Sequence, residues 1–204
     1  MIDEELNSQF ASSALMPVPA LDSAEEARSE AARGMPPLML TWFRDIFVAV
    51  IIAFFIITFL YQQVKVEGTS MQPQLRDQDH LIINKFIYRF EKISRGDVVV
   101  FYYPRDPSQS YIKRVIAVPG DDFRIDRGVV YVNGEQIPEA YVPSQYEDER
   151  SVPDSVIPAG EYFMMGDHRS ISSDSRDFGP VKRSLIYGKA AFVYWPGSDA
   201  GVVR

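Results

Sequence analysis

The chain contains no cysteine, which excludes disulfides, thiolate metal sites and a cysteine nucleophile. Histidine is nearly as scarce: only His80 and His168 occur, too few for a histidine-rich metal centre. Nor is there a dense Lys/Arg patch of the kind that binds nucleic acid. The formal charge is −7 over 204 residues, but it is unevenly placed. Residues 1–36 hold Asp3, Glu4, Glu5, Asp22, Glu25, Glu26 and Glu30 against Arg28 and Arg33, which leaves only −2 for the rest. The acidity therefore describes a tail and not a working surface. That tail also lacks the apolar content of a core and is expected to be disordered, with at most a frayed helix over 23–33.

The composition then changes abruptly. From Ile46 to Val64 no residue is charged, and 38–43 extend the apolar character upstream of the Arg44-Asp45 pair. About 19 apolar residues suit a single transmembrane helix, and Trp42, Phe43 and Tyr61 suit its interfaces. A cleaved signal peptide fits poorly, because the run starts late and ends in Tyr-Gln-Gln-Val instead of small residues. A buried soluble helix is the alternative. Arg28, Arg33 and Arg44 before the run, against Lys65 and Arg76 after it, weakly favour an inside N-terminus.

From about residue 62 the texture is β. Runs of β-branched and aromatic residues at 64–67, 80–84, 97–103, 111–118, 122–125, 129–132, 161–165 and 187–195 alternate with turn signals. Asn133-Gly134 after Val130-Tyr131-Val132 marks a hairpin. No strong amphipathic helix intervenes, so a mainly β, antiparallel domain is expected. The acidic, Pro-containing stretch 140–158 reads as a long surface connection. The expected partition is a tail over 1–37, a membrane helix over 38–63, a β domain over 64–196 and a C-terminal tail over 197–204.

Three stretches carry candidate chemistry. The run Tyr111-Ile112-Lys113-Arg114-Val115-Ile116-Ala117-Val118 is a strand with two apolar faces and one cation on each. As a strand it puts Tyr111, Lys113, Val115 and Ala117 on one face and Ile112, Arg114, Ile116 and Val118 on the other. A buried arginine cannot deprotonate and needs a carboxylate, whereas a buried lysine can become a neutral base. Alternatively, Lys113 snorkels from a strand end. The second stretch, Val66-Glu67-Gly68-Thr69-Ser70-Met71-Gln72-Pro73, presents a serine in a turn after a strand-breaking glycine. Turn N–H groups there could stabilise an oxyanion. Gln72 stands where a Gly-x-Ser-x-Gly elbow would need glycine. His80, His168 and Lys113 are all open as the base. For Lys113 the pKa must fall by about 3 from about 10.4, or about 4 kcal/mol, which burial supplies if no carboxylate lies beside it. In the third stretch an apolar strand at Met164-Met165 runs into Gly166-Asp167-His168-Arg169-Ser170-Ile171-Ser172-Ser173-Asp174-Ser175-Arg176-Asp177-Phe178-Gly179. Its hydroxyls, acids and arginines suit an ordered network, or a solvated loop.

Together these stretches resemble type I signal peptidases, the membrane-bound serine proteases that remove signal peptides. The likeness runs from the apolar segment to near Trp195. Gly68-Thr69-Ser70-Met71-Gln72-Pro73-Gln74-Leu75 resembles the nucleophile box, and Gly96-Asp97-Val98-Val99-Val100-Phe101 the following strand box. The stretch 111–121 resembles the lysine box and 166–179 the terminal box.

The resemblance implies Ser70 as nucleophile, its backbone N–H as oxyanion donor and Lys113 as general base. It implies Ser172 as the serine that hydrogen-bonds the lysine, an Asp174–Arg176 ion pair, and Asp167 as partner of Arg114. Val64, Val66, Gly68, Met71, Leu75, Tyr111 and Ile112 would line shallow pockets for small side chains, the substrate adding as a strand between 64–68 and 109–112. The implied fold is a barrel-like antiparallel β catalytic domain behind an N-terminal transmembrane helix. The implied activity is cleavage of exported preproteins after Ala-x-Ala-type sites, with no metal or nucleotide cofactor. Implied partners are preproteins and membrane lipid near a translocon, with no nucleic acid. The implied location is the plasma membrane, single-pass, catalytic domain outside, or a thylakoid membrane if the source has one.

Gly68 provides no side-chain hydroxyl two residues before Ser70, His168 replaces a usual Asn, and Ile171 replaces an often polar residue. The short connection between the last two boxes leaves little room for a large second domain. Three rivals remain: a self-cleaving SOS repressor, which pairs Ser with Lys but lacks a membrane span, a tethered β module that only binds, and a peptidase dedicated to a few precursors.

Overall fold

The computed structural model describes residues 37–204, and the side chains of these except 37–40, 57, 59 and 60. The expected disordered tail lies outside the described residues. The chain forms two compact units, one up to Ala53 and one from Phe54. Helix α1 spans Pro37–Leu60, 24 residues. Its described apolar side chains, Trp42, Phe47 and Phe54 among them, are solvent-exposed. Among the described residues no helix is long and apolar enough to cross a membrane.

The helix gives way at Tyr61, earlier than the expected 63. Gln62 and Gln63 pair with Ile83 and Ile82, so strand pairing claims residues that apolarity assigned to the helix. The β strands are β1 (Tyr61–Lys65), β2 (His80–Asn84), β3 (Val98–Tyr103), β4 (Asp106–Ala117), β5 (Asp122–Asp126), β6 (Val129–Val132), β7 (Glu135–Gln136), β8 (Val152–Val156), β9 (Glu161–Met165), β10 (Val181–Lys182), β11 (Ile186–Trp195) and β12 (Gly201–Val202). The only other described α-helix is one turn, α2 (Ser175–Phe178), capped at both ends of its first turn by Asp174 and Asp177.

Two antiparallel sheets result. The larger runs β1-β2-β11-β3-β4-β9-β10, with β12 paired to β11, and the smaller runs β7-β6-β5-β8. Period-two alternation assigns the core: Val98 and Val100 pack with Leu81, Ile83 and Val193, while Val99 and Phe101 pack with Val115, Met164 and Ile186. A third cluster under the small sheet holds Ile116, Phe123, Ile125, Val130, Val132 and Phe163. The Asn133-Gly134 hairpin forms as expected, with both residues at positive φ (52° and 82°).

Three sequence readings are corrected. The stretch 140–158 is not only a connection, because β8 pairs with β5. The stretch 197–204 is not a loose tail: β12 pairs with β11, and Val203 is buried in the first core cluster. The alternation of β4 holds only to Val115. A bulge against β9 follows, so Ala117 joins Ile116 in the small-sheet cluster and Val118 packs with Val115.

Candidate active site

Ser70 sits in a loop whose base is closed by two backbone bonds, Val66 N–H to the Asp79 carbonyl at 2.8 Å and Gln78 N–H to the Val66 carbonyl at 2.9 Å. Gly68 has φ +99°, a conformation that side chains oppose. Its N–H donates to Asp77 Oδ1 at 2.8 Å, which holds that exposed carboxyl below its ordinary range. A tight turn follows, with Gln72 N–H on the Thr69 carbonyl and Leu75 N–H on the Met71 carbonyl. The Ser70 carbonyl accepts from His168 N–H at 3.0 Å, while the Ser70 N–H donates to no group among the described residues.

Lys113 lies mid-sheet on β4, opposite Val99 on β3, and is 4% exposed. Its Nζ is 2.5 Å from Ser70 Oγ. Burial is the largest influence on this amine and pulls its pKa down to about 8; the charges of Asp174 and Asp167 push it up, and that of Arg176 pulls it down. Sequence reasoning asked for no carboxylate nearby. The fold puts two within electrostatic reach, so the amine stops short of neutrality at pH 7.

Arg114, the next residue, is 2% exposed. Its Nε and Nη2 donate to the two oxygens of Asp167 at 2.8 and 2.6 Å, and its Nη1 to the carbonyls of Gly96 and Arg204 at 3.0 and 2.7 Å. Burial pushes the Asp167 carboxyl up, and the bidentate guanidinium opposes this. The Asp174–Arg176 pair also forms, at 2.7 and 2.8 Å. Burial pushes Asp174 up as well, but Arg176 and the Gly166 N–H outweigh it and the carboxyl lies below its ordinary value.

Ser172 does not meet the expectation of a bond to Lys113. Its hydroxyl is buried without a hydrogen bond of standard geometry, and the group it influences is the Asp174 carboxyl, not Lys113. Ser172 lies against Gly166, where an added Cβ would fall 2.3 Å from Ser172 Oγ and 2.4 Å from the Ser70 carbonyl oxygen. That hydrogen atom of Gly166 lets the terminal loop approach the serine.

A cavity of about 650 Å³ opens beside the Ser70–Lys113 pair. It is lined by Val64, Val66, Gly68, Met71, Tyr111 and Ile112, as expected. Leu75 is the exception: it is 0% exposed and packs in the core with Val66, Met71 and Leu81, because the turn after Ser70 directs it inward. Sequence reasoning missed Ile171 and Ser173 as lining, although both lie in the stretch it singled out. It also missed Glu139, which pairs with Arg169, and Asp148, which pairs with Arg176. Within 166–176 two arginines stand with two acids, and Arg114 claims one of those acids, so an arginine left to find a carboxylate elsewhere was the available signal. The lining of the cavity comes from two strands with free edges. β1 ends the large sheet, and β9 reaches β4 only from Arg114 onward, leaving 109–112 unpaired on that side.

The chain is also similar to known proteins. Residues 39–195 match the family described as signal peptidase, peptidase S26. Signal peptidase IB of Staphylococcus aureus (strain Mu50) is 33% identical over 177 residues, covering 79% of this chain and 92% of that protein. Signal peptidase I of Bacillus licheniformis is 32% identical over 170 residues, covering 79% and 91%. A crystal structure of a signal peptidase I from Enterococcus faecalis is 30% identical and covers 50% of this chain and 98% of its own, at a TM-score of 0.45. With a family match over most of the chain and relatives a third identical along nearly their whole length, this chain belongs to the signal peptidase family, peptidase S26, and is a serine peptidase of the signal peptidase I kind.

Proposed function

We propose that Ser70 and Lys113 form the catalytic dyad of this peptidase. The carrying observation is the 2.5 Å contact between Lys113 Nζ and Ser70 Oγ, with the lysine buried. The neutral amine takes the Ser70 proton as Oγ attacks the substrate carbonyl carbon. The Ser70 N–H, which has no acceptor among the described residues, donates to the oxyanion. Gly68 adds no side-chain donor. The tetrahedral species expels the leaving amine, which takes the proton back from Lys113, and an acyl ester remains on Ser70. Water, losing its proton to Lys113, then hydrolyses that ester.

The substrate lies extended between β1 and the free edge of 109–112, its side chains against Val64, Val66, Met71, Tyr111 and Ile112. These shallow walls favour small residues before the scissile bond, as in Ala-x-Ala sites. Arg114 and Asp167, with Asp174 and Arg176, hold the terminal loop against the dyad. We also read α1 as a single membrane span, supported by its 24 residues and by the absence of charge from Ile46 to its end at Leu60. The N-terminus would then be cytoplasmic, and the catalytic domain would meet preproteins on the far side of a plasma membrane, near the translocon. The test is cleavage of a preprotein by the Ser70→Ala variant. Processing is expected to vanish while the fold, followed by circular dichroism, persists; retained cleavage sinks the assignment.

A further inference from the structure

The segment from Tyr146 to Ser151 lies between two other loops and is bonded to both. On one side it meets the turn between β5 and β6. Gly128 N–H donates to the Arg150 carbonyl at 3.0 Å, and Arg127 N–H to Ser151 Oγ at 2.9 Å. Contact is so close that a Cβ on Gly128 would fall 1.9 Å from the Asp148 carbonyl oxygen.

On the other side the same segment grips the terminal loop along its length. The Tyr146 carbonyl accepts from Ser170 N–H at 3.1 Å, and the Tyr146 ring packs on the His168 ring at a 33° tilt with centroids 3.9 Å apart. Arg150 Nη2 donates to the carbonyls of Arg169 and Ser172 at 3.2 and 3.1 Å, while Nη1 reaches Asp177 Oδ1 at 3.0 Å. Asp148 Oδ2 accepts from Arg150 Nε at 2.8 Å and from Arg176 Nη1 at 2.6 Å. The consequence reaches the dyad directly. His168, clamped through its ring, donates its N–H to the Ser70 carbonyl. Ser172, clamped through its carbonyl, packs on Gly166 against Ser70.

We propose that Tyr146, Asp148 and Arg150 are positioning residues for the peptidase reaction: they form a strap that sets where the terminal loop holds Ser70 relative to Lys113. The proposal rests on the Ser70–Lys113 reading. The physical case is geometric. An arginine fork satisfies two carbonyls and two carboxylates in one plane, which a lysine point charge cannot do. A displacement of about 1 Å in a reacting pair costs on the order of 10²-fold in rate.

The experiment is steady-state cleavage of a signal-peptide substrate by the full chain between pH 6 and 10. Arg150→Gln is expected to lower kcat about 10- to 100-fold with KM held within about twofold. It should also move the rising limb of the pH profile away from its wild-type position near 8. Arg150→Lys should recover little of the loss. Tyr146→Ala should lower kcat in the same way, and Tyr146→Phe, which keeps the ring contact, should restore it. Wild-type kcat and pH profile in both Arg150→Gln and Tyr146→Ala overturn the proposal. So does a Tyr146→Phe protein as slow as Tyr146→Ala, or a loss that falls on KM alone. Should the Arg150 variants not fold, the half-buried Tyr146 pair decides by itself. Ser70→Ala is assayed alongside: retained turnover there defeats the dyad, and the strap proposal falls with it.

Discussion

Lys113 and Arg114 are neighbours on one strand and nearly equally buried, yet the regions they face are opposite in kind. Lys113 looks onto a cavity with one hydrogen bond, to Ser70. Arg114 looks into a dense polar network, with a bidentate carboxylate and two carbonyls for its donors and the Tyr141 ring 4.2 Å away. Burial alone does not decide the charge of a group. What decides it is whether the surroundings replace the water that was lost. The poorly solvated amine is pulled down to about 8, whereas the guanidinium, which cannot shed its proton, keeps four hydrogen bonds.

The contrast can be broken by giving both positions the same apolar side chain. Lys113→Met is expected to lower kcat by about 10⁴-fold, the scale of losing a catalytic base. Its chemical denaturation midpoint should stay the same or rise, because a buried amine with one partner leaves. A variant that still cleaves would show that the amine is not the base. Arg114→Met should do the reverse, destabilising by about 3–5 kcal/mol because Asp167 is left buried and unpaired. An unchanged urea midpoint would show that the pair is not structural.

Smaller effects sharpen the comparison. Leu75→Ala, a core change next to the serine loop, should destabilise by about 2–5 kcal/mol while leaving the preference among small residues before the cleavage site unchanged. A shifted preference would return Leu75 to the pocket. In the pH profile, the neutral fraction of Lys113 grows as pH rises through about 8, so kcat/KM should climb about tenfold per pH unit below that value and level above it. A flat or falling profile between pH 6 and 9 is incompatible with a lysine base. At the bottom of the scale, the Arg76–Asp199 bridge has an arginine 62% exposed, and Arg76→Ala should change stability by no more than about 1 kcal/mol, less at high salt.

Much of the site was legible along the chain because its parts are local. A buried arginine demands an acid, and Asp167 meets that demand; an Asn-Gly turn forces a hairpin; a glycine before Ser70 permits the loop. What escaped reading was non-local. The stretch 140–158 looked like solvated connection because its acids and prolines have no periodicity. Their role exists only once Glu139 and Asp148 stand against Arg169 and Arg176. The outward reading of Leu75 failed for a similar reason: residue type makes it a pocket or a core residue equally well, and only the turn direction separates the two.

The sequence by itself determined most of the strands, the hairpin and the apolar helix, since each follows from local propensity, while the roles of Ser70 and Lys113 and the pairing of Arg114 with Asp167 and of Asp174 with Arg176 came from the family resemblance. Only the tertiary structure decided that β4 is central and flanked by β3 and β9, that its bulge exchanges the faces beyond Val115, and that Lys113 and Ser70, distant in sequence, meet within hydrogen-bond reach. It alone set the lysine against two carboxylates and kept the Ser172 hydroxyl from bonding Lys113, because those are properties of distances between elements, and distances are not written in any one of them.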